Sequence, residues 1–229
     1  MNKPALILTA AAGLLIFSAA RTSRASIEAG DGGDVGGVSF SADGIADTAE
    51  TLYNQLTETS ADVTPDTAQT NINAFLVMLQ QAEGTSRASD PYRVCYGYKH
   101  TIQNFSGHPA NTGEWAGEVL SDRMCSLAGF GPGCRSTAAG AYQIIKGTWN
   151  NLASKLSLPD FGPDSQDAAA IELIRRRGAL EDVKAGRVAS AINKCRNEWA
   201  SLPGNYAAQG QRQQSDLIGW YTNNGGNVA

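Results

Sequence analysis

The clearest helical pattern in the chain lies in the stretch NAFLVMLQQAEG, residues 73–84. Apolar side chains recur there every three or four residues, which places Leu76 and Leu79 on one stripe of a helix. The same spacing puts Glu83 on this apolar stripe, directly before Gly84, a residue typical of helix C-termini. The pattern therefore predicts a core-facing helix that carries a carboxyl group at its last turn.

The rest of the folded part, expected to span residues 71–229, is mainly helical. Residues 92–109, YRVCYGYKHTIQNFSGHP, mix aromatic and β-branched side chains with turn residues, which predicts a short irregular β-hairpin region. Residues 110–135 are interpreted as an insertion or long loop. Apolar residues return at helical spacing in segments 149–156, 168–178, 188–199 and 217–221. The predicted fold class is α+β, mostly α-helical with one small β element.

The N-terminal region differs in kind from the rest of the chain. Residues 4–20, PALILTAAAGLLIFSAA, carry no charge and are flanked by Lys3 and by Arg21 and Arg24. The segment is slightly short for a membrane span of about 20 residues, and it also suits the core of a signal peptide. We interpret residues 1–25 as a signal peptide or a membrane anchor, which makes the membrane an expected partner through residues 4–20.

Residues 26–70 separate this segment from the predicted folded domain. They include EAGDGGDVGGVSFSADG, which is rich in Gly, Asp and Ser and poor in large apolar side chains. Such a composition buries too little surface to offset chain entropy, so it predicts a flexible linker.

Composition narrows the function classes. The chain has 22 acidic and 18 basic residues, and the basic residues form no long block, which disfavours nucleic acid as a partner. With 2 histidines and no C-x-x-C pair, a metal site has little support, and we expect no metal and no cofactor.

The predicted export makes disulfide bonds plausible for the four cysteines, because disulfides form in oxidising compartments. Cys125 and Cys134 lie close together in a loop that contains Gly and Pro, where they could pair locally. Cys195 falls on the apolar face of a predicted helix and is expected to be a small buried side chain.

Glu83 is the candidate for chemistry. Burial favours the neutral acid, and the negative end of the helix dipole also disfavours a carboxylate, so both effects raise its pKa. A carboxylic acid that stays protonated near neutral pH can donate a proton to a leaving oxygen, as cleavage of a glycosidic bond requires.

Several separated motifs resemble one family. FLVMLQQAEGT, FSGHP, STAAGAYQI, LPDFGPDSQDAAAIELIRRRGAL and INKCRNEWASLPG occur in the order found in the bacteriophage lambda endolysin family, over residues 71–222. These proteins are lysozyme-like lytic transglycosylases, so the resemblance implies a lysozyme-like fold and cleavage of peptidoglycan glycan strands. It implies that one glutamate cleaves the MurNAc-β-1,4-GlcNAc bond without water and leaves a 1,6-anhydromuramic product.

The resemblance also implies roles for single residues. Glu83 matches the catalytic glutamate of the AEGT motif, and the long segment after residue 113, which brings two cysteines, departs from the family loop. The residues expected to bind substrate are Gln143 through a hydrogen bond, Tyr142 through its flat surface, Gly140 through close backbone approach, His108 as a cleft residue and Tyr206 from an altered motif.

Alternatives remain at this point. A hydrolytic lysozyme on the same scaffold would need a second carboxylate, for which Asp90 is the nearest downstream candidate. A third hypothesis is an inactive wall-binding or assembly module. A phage could use the enzyme for host lysis or for genome entry. The expected location is the inner membrane through an anchor, the periplasm after export, or the virion with virion partners.

Overall fold

The computed structural model describes residues 64–205 and 210–229. The predicted signal or anchor segment, most of the predicted linker and Tyr206 lie outside the described residues. Within the described ranges, no helix is both long enough and apolar enough to cross a membrane.

The described part of the chain is mostly helical, with one small sheet. Its α-helices are α1 (Pro65–Glu83), α2 (Pro109–Thr112), α3 (Asp122–Leu127), α4 (Lys146–Leu156), α5 (Pro163–Arg176), α6 (Leu180–Lys184), α7 (Val188–Cys195) and α8 (Gln214–Asn223). Strands β1 (Glu118–Val119) and β2 (Arg135–Ser136) pair antiparallel, and 3-10 turns cover Thr85–Arg87, Pro91–Arg93 and Tyr96–Tyr98.

Helix α1 runs through the centre of the fold and packs against α5, α6 and α8. Its stripe of Phe75, Met78 and Leu79 is completely buried, as the apolar spacing predicts. The helix begins earlier than the predicted domain start at residue 71, because the Thr64 side chain accepts a hydrogen bond from the Thr67 N–H, 3.2 Å away. The first turns carry mainly polar side chains, so apolar periodicity does not detect them.

The other predicted helices are present. Segments 149–156, 168–178, 188–199 and 217–221 correspond to α4, α5, α7 and α8, and their apolar faces join one core with α1. Cys195 is buried in this core with a free thiol, as its position on the apolar face of α7 predicts. Trp199 is also buried, and its indole N–H donates to the Tyr142 carbonyl, 3.1 Å away.

The predicted β element is confirmed only in part. Residues 92–109 form 3-10 turns and an antiparallel bridge between Val94 and Thr101, and Cys95 bridges to Ala139, but no paired strands of a regular hairpin form. The small sheet instead joins Glu118 to Ser136 and Val119 to Arg135, inside and at the end of the predicted loop. A two-residue strand is too short to show the alternation by which a sequence signals strands.

Candidate active site

Helix α1 ends at Glu83, and Gly84 caps it. Gly84 adopts the left-handed conformation, with φ of 80°, and its N–H caps the helix by donating to the Gln81 carbonyl. Glycine reaches this conformation without a steric penalty, so the chain turns sharply after Glu83. The Glu83 side chain therefore stays on the buried stripe and is only 5% exposed.

Burial dominates the electrostatics of this carboxyl group. Desolvation raises the pKa of Glu83 from 4.5 to about 7, against a hydrogen bond from Ser201 and the positive charge of Arg212, which both lower it. The Ser201 hydroxyl donates to Glu83 Oε1 over 2.6 Å and is itself buried. Near neutral pH the group therefore exchanges readily between acid and carboxylate, as a group that first donates and then accepts a proton must.

Glu83 opens into a cavity of about 460 Å³. Three stretches of chain surround it, which we call the helix wall (residues 83–87), the aromatic wall (residues 94–99) and the disulfide wall (residues 118–124). Gln143 and Arg212 complete the lining. The cavity is large enough for sugar units, since ligand pockets start at roughly 300 Å³.

Gln143 lies in the cavity lining, as the site prediction requires, in an uncommon backbone conformation with φ of 50°. Its side-chain Nε2 donates to the Val94 carbonyl over 3.1 Å and to the Gly140 carbonyl over 3.0 Å. Because both amide hydrogens are used on the backbone, Oε1 is the atom left to accept a hydrogen bond from a ligand N–H.

Tyr142 does not line this cavity, so its expected role as a flat surface for a sugar is wrong. The side chain is 1% exposed and lies in the core, where its hydroxyl donates to Asp167 Oδ1 over 2.6 Å. Its carbonyl accepts from the Trp199 indole. Tyr142 therefore holds the backbone next to Gln143 rather than contacting a ligand.

Gly140 has a packing role instead of the predicted substrate approach. Its φ is 77°, and a Cβ atom there would lie 2.1 Å from Gln166 Oε1. Gln166 needs this space, because its Oε1 accepts from the Ala141 N–H and its Nε2 donates to the Phe161 carbonyl. The glycine thus lets a buried glutamine fix the loop that carries Gln143.

His108 is fully buried and does not line the cavity, contrary to the expectation of a cleft residue. Its Nδ1 accepts from the Ala110 N–H at the start of α2, so Nε2 carries the proton and donates to the Ile144 carbonyl over 3.1 Å. Burial lowers the pKa of His108 to about 4, which keeps the ring neutral. The ring braces the residue after Gln143 against Phe161, whose ring centroid lies 4.9 Å away.

Asp90 is not placed as a second catalytic acid. Its carboxylate caps the turn at Tyr92 and pairs with Arg93 Nε over 3.0 Å, and it is absent from the cavity lining. Within the described residues, the other carboxylate on the cavity lining is Glu118, on the disulfide wall.

Ser201, Arg212 and Glu118 have little individual signal in the sequence. Ser201 lies in the motif INKCRNEWASLPG, but a serine in a connector has no chemistry of its own until a carboxyl group faces it. Arg212 donates from Nε to the Ala82 carbonyl at the end of α1, 3.0 Å away. Only the fold brings Ser201 and Arg212 to Glu83, and Glu118 to the same cavity.

The disulfide wall leads directly into a loop that is closed by a disulfide bond between Cys125 and Cys134. The wall's Leu120 N–H also donates to the Cys134 carbonyl over 3.0 Å, beside the two-stranded sheet. The cysteines of the long loop thus hold one side of the cavity that contains Glu83. No cluster of potential metal ligands occurs in residues 64–205 and 210–229.

A helical fold with a buried acid at the mouth of a sugar-sized cavity defines a lysozyme-like protein. The Endolysin family model matches residues 73–228, so the chain belongs to the endolysin family. It is similar to the endolysin of Escherichia phage P2, at 43% identity over 63% of this chain and 86% of the relative. It is also similar to the endolysin of Escherichia phage lambda, at 35% identity over 68% of this chain and 91% of that relative.

Solved structures agree with the sequence relatives. Bacteriophage lambda lysozyme complexed with a chitohexasaccharide superimposes with a TM-score of 0.59 at 33% identity, covering 70% of this chain and 97% of that one. A second structure of lysozyme from bacteriophage lambda gives a TM-score of 0.56 at 32% identity, with the same coverage. The predicted family and the lysozyme-like fold are therefore confirmed.

Proposed function

We propose that the protein is a peptidoglycan lytic transglycosylase that cleaves the β-1,4 bond between MurNAc and GlcNAc. One observation carries the proposal: a single glutamate, Glu83, is buried beside a sugar-sized cavity, and its pKa is about 7. The complex of lambda lysozyme with a chitohexasaccharide supports a glycan as the ligand.

The proposed reaction uses Glu83 twice. The neutral acid protonates the glycosidic oxygen, the C1–O bond breaks, and the GlcNAc unit leaves with its 4-hydroxyl group restored. The muramic C6 hydroxyl then attacks C1 and returns its proton to the Glu83 carboxylate, which closes the 1,6-anhydro ring. No water is consumed, and the starting protonation state of Glu83 is regenerated.

The other residues of the site assist this cycle. The Ser201 hydroxyl stabilises the transient carboxylate by donating to it, and the charge of Arg212 acts in the same direction. Gln143 Oε1 accepts a hydrogen bond from the N–H of an acetamido group. His108, Tyr142 and Gly140 position the Gln143 loop without touching the sugar.

A hydrolytic lysozyme is the second candidate, and Glu118 is the observation that favours it. An inverting hydrolase uses a second carboxylate to activate water across the sugar. Glu118 lies on the same cavity as Glu83 but on the disulfide wall. The proposal predicts that Glu118→Gln leaves the product unchanged, whereas a hydrolase with Glu118 as its base would lose activity.

Product analysis separates the two reactions. Peptidoglycan digested with the protein should yield muropeptides whose muramic end is lighter by one water than the hydrolysis product, as mass spectrometry detects directly. Reducing muramic ends in the wild-type digest would instead support the hydrolase.

A variant tests the assignment of the acid and the hypothesis of an inactive wall-binding module. Glu83→Gln should lower the rate of wall clearing at least about 100-fold, because general acid catalysis contributes roughly that much or more. Glu181→Gln is the matched control, since that glutamate is exposed and its ion pair in the described part of the chain is with Lys184. Equal clearing by wild type and Glu83→Gln would refute the assignment, and no clearing by either would favour the binding module.

We also propose that residues 4–20 bring the enzyme to the wall, as a membrane anchor or as a cleaved signal peptide. The support is their uncharged composition between Lys3 and Arg21. Fractionation of expressing cells, with N-terminal sequencing of the periplasmic form, distinguishes the anchor from the signal. Detection in purified phage particles would instead favour a role in genome entry over host lysis.

A further inference from the structure

The charge of the cavity differs from the charge of the chain. The whole chain has 22 acidic and 18 basic residues, yet the cavity lining contains Arg87, Lys99 and Arg212. Glu83 and Glu118 are the acidic residues of the same lining, and Glu83 is partly neutral near pH 7. An acidic protein thus presents a locally basic surface where the ligand enters.

Two of these cations differ from Arg212, whose side chain donates a hydrogen bond to the Ala82 carbonyl. Arg87 and Lys99 are exposed, and neither forms an ion pair or a side-chain hydrogen bond within residues 64–205 and 210–229. Several other cations are paired with carboxylates: Lys155, Arg175 and Arg176 with Glu172, and Arg187 and Lys194 with Asp182. Unpaired cations that share a ligand cavity are available to an anionic ligand.

The two cations belong to neighbouring parts of the lining. Arg87 ends the 3-10 turn that follows Glu83, and Lys99 directly follows Tyr98 on the aromatic wall. The Tyr98 hydroxyl donates to the Gly84 carbonyl, which joins the aromatic wall to the end of α1. Arg87 is also close enough to Tyr98 for its charge to act on the phenol. Arg87 therefore shares the helix wall with Glu83, and Lys99 lies on the aromatic wall that Tyr98 joins to it.

We propose that Arg87 and Lys99 bind carboxylate groups at the 3-position of muramic acid, so that the enzyme selects muramic units over plain GlcNAc units. This inference rests on the proposed function. Muramic acid differs from GlcNAc by a lactyl ether, whose carboxyl group is free in bare glycan and extended by a peptide with further carboxylates in intact wall. Guanidinium and ammonium groups are the side chains that bind such carboxylates.

Three soluble ligands separate the sources of the carboxylate. They are peptide-bearing glycan chains, the same chains after an amidase has removed the peptides, and chitohexaose, which has no carboxylate. Binding is measured by calorimetry in the Glu83→Gln background, so that no ligand is cleaved. The test variant adds Arg87→Gln and Lys99→Gln, and the control adds Arg196→Gln and Lys184→Gln. The control removes the same charge outside the cavity lining.

At about 20 mM salt, the test variant should bind carboxylate-bearing chains roughly fivefold more weakly, because each exposed ion pair contributes modestly. Its affinity for chitohexaose should stay within about twofold of the parent. At about 0.5 M salt the difference should largely disappear, since exposed charges are then screened. A loss confined to peptide-bearing chains identifies the peptide carboxylates, and a loss confined to peptide-free chains identifies the lactyl carboxylate. A loss on both shows that the two cations bind either carboxylate.

Equal weakening for all three ligands, no weakening at all, or an equal loss in the control variant would overturn the inference. These outcomes are distinct from failure of the proposed function. That function fails if the wild-type protein releases no anhydro-muropeptides from peptidoglycan, whatever the binding data show. A wild-type enzyme that releases them, beside a test variant with unchanged affinities, would overturn only the charge selection.

Discussion

The helix wall and the disulfide wall face the same cavity but are built in opposite ways. Behind the helix wall, Phe75, Met78 and Leu79 are completely buried, and the Thr85 hydroxyl donates to the Ala141 carbonyl over 2.7 Å. The loop of the disulfide wall leaves Leu127 and Phe130 more than 60% exposed. The acid is therefore held by the core, whereas the disulfide wall is held by one covalent bond and a two-residue strand pair.

The difference shows which wall needs a fixed environment for its side chains. A buried carboxyl group must keep its burial and its Ser201 hydrogen bond, since both set its pKa, and only dense packing maintains such an environment. A surface that only encloses a polymer needs shape rather than fixed chemistry. Local stability follows contact density, so the disulfide wall should open independently of the core.

The largest predicted effect is on the free energy of unfolding, and it tests the burial of the Glu83 carboxyl group on the helix wall. The folded-state pKa of Glu83, about 7, lies above its unfolded value of 4.5, so the folded state binds this proton more tightly. The contribution of Glu83 to stability therefore falls as pH rises through this window. Glu83→Gln removes the effect, and by about pH 8 the variant should be more stable by roughly 3 kcal/mol.

Urea unfolding of both proteins from about pH 4 to pH 8 measures this difference. The two curves should meet near the acidic end, where Glu83 is neutral in both states. A difference that does not change with pH would show that Glu83 is not desolvated in the folded state.

The next effect tests the disulfide wall. In Cys125→Ser/Cys134→Ser, the wall should lose about 2–3 kcal/mol of local stability, the value for closing a loop of about ten residues. Activity should fall several-fold while the melting temperature changes little. Hydrogen exchange should speed up in residues 118–136 but not in α1.

Reductant provides the control for that variant. Dithiothreitol should bring the wild type to the activity of the double variant and leave the variant unchanged, because the free thiols of Cys95 and Cys195 are buried. Cooperative loss of the whole fold on reduction would contradict the separation of the two walls.

A smaller effect tests the contact between Ser201 and the acid. The hydroxyl donates to the Glu83 carboxylate, so it favours the charged form and lowers the pKa. In Ser201→Ala, the alkaline limb of the pH–rate profile should move upward by roughly one pH unit, about one hydrogen bond in free energy. An unchanged limb with a lower rate at every pH would show that Ser201 acts only in packing.

The smallest effect concerns Tyr96, on the aromatic wall. Its hydroxyl is buried without a hydrogen-bond partner in the described part of the chain, and its backbone N–H donates to the Ala138 carbonyl. Tyr96→Phe removes an unsatisfied polar group, so the free energy of unfolding should rise by about 1 kcal/mol. Tyr221→Phe is the matched control and should lower it by a similar amount, because the Tyr221 hydroxyl donates to the Asn227 carbonyl.

The sequence was informative where a pattern repeats. Apolar spacing predicts α1 and places Glu83 on its buried stripe, and it also predicts α4, α5, α7 and α8 but not the short helix α6. It was uninformative for the sheet, whose strands have two residues each, and for the polar first turns of α1. Among the candidate ligand residues, Gln143 reaches the cavity, while Tyr142 and His108 are buried behind it. A motif identifies such a loop but does not say which of its side chains point inward.

By itself, the sequence determined that one carboxyl group ends an apolar helical stripe before a glycine, since helix period and glycine conformation are local properties. The tertiary structure alone decided that Ser201, Arg212 and Glu118 join that group. These residues are distant in sequence, and each meets Glu83 or its cavity only after the helices pack. The physical reason is desolvation. The pKa of an acid depends on all the groups that surround it in the folded protein, and the order of residues along the chain does not show those groups.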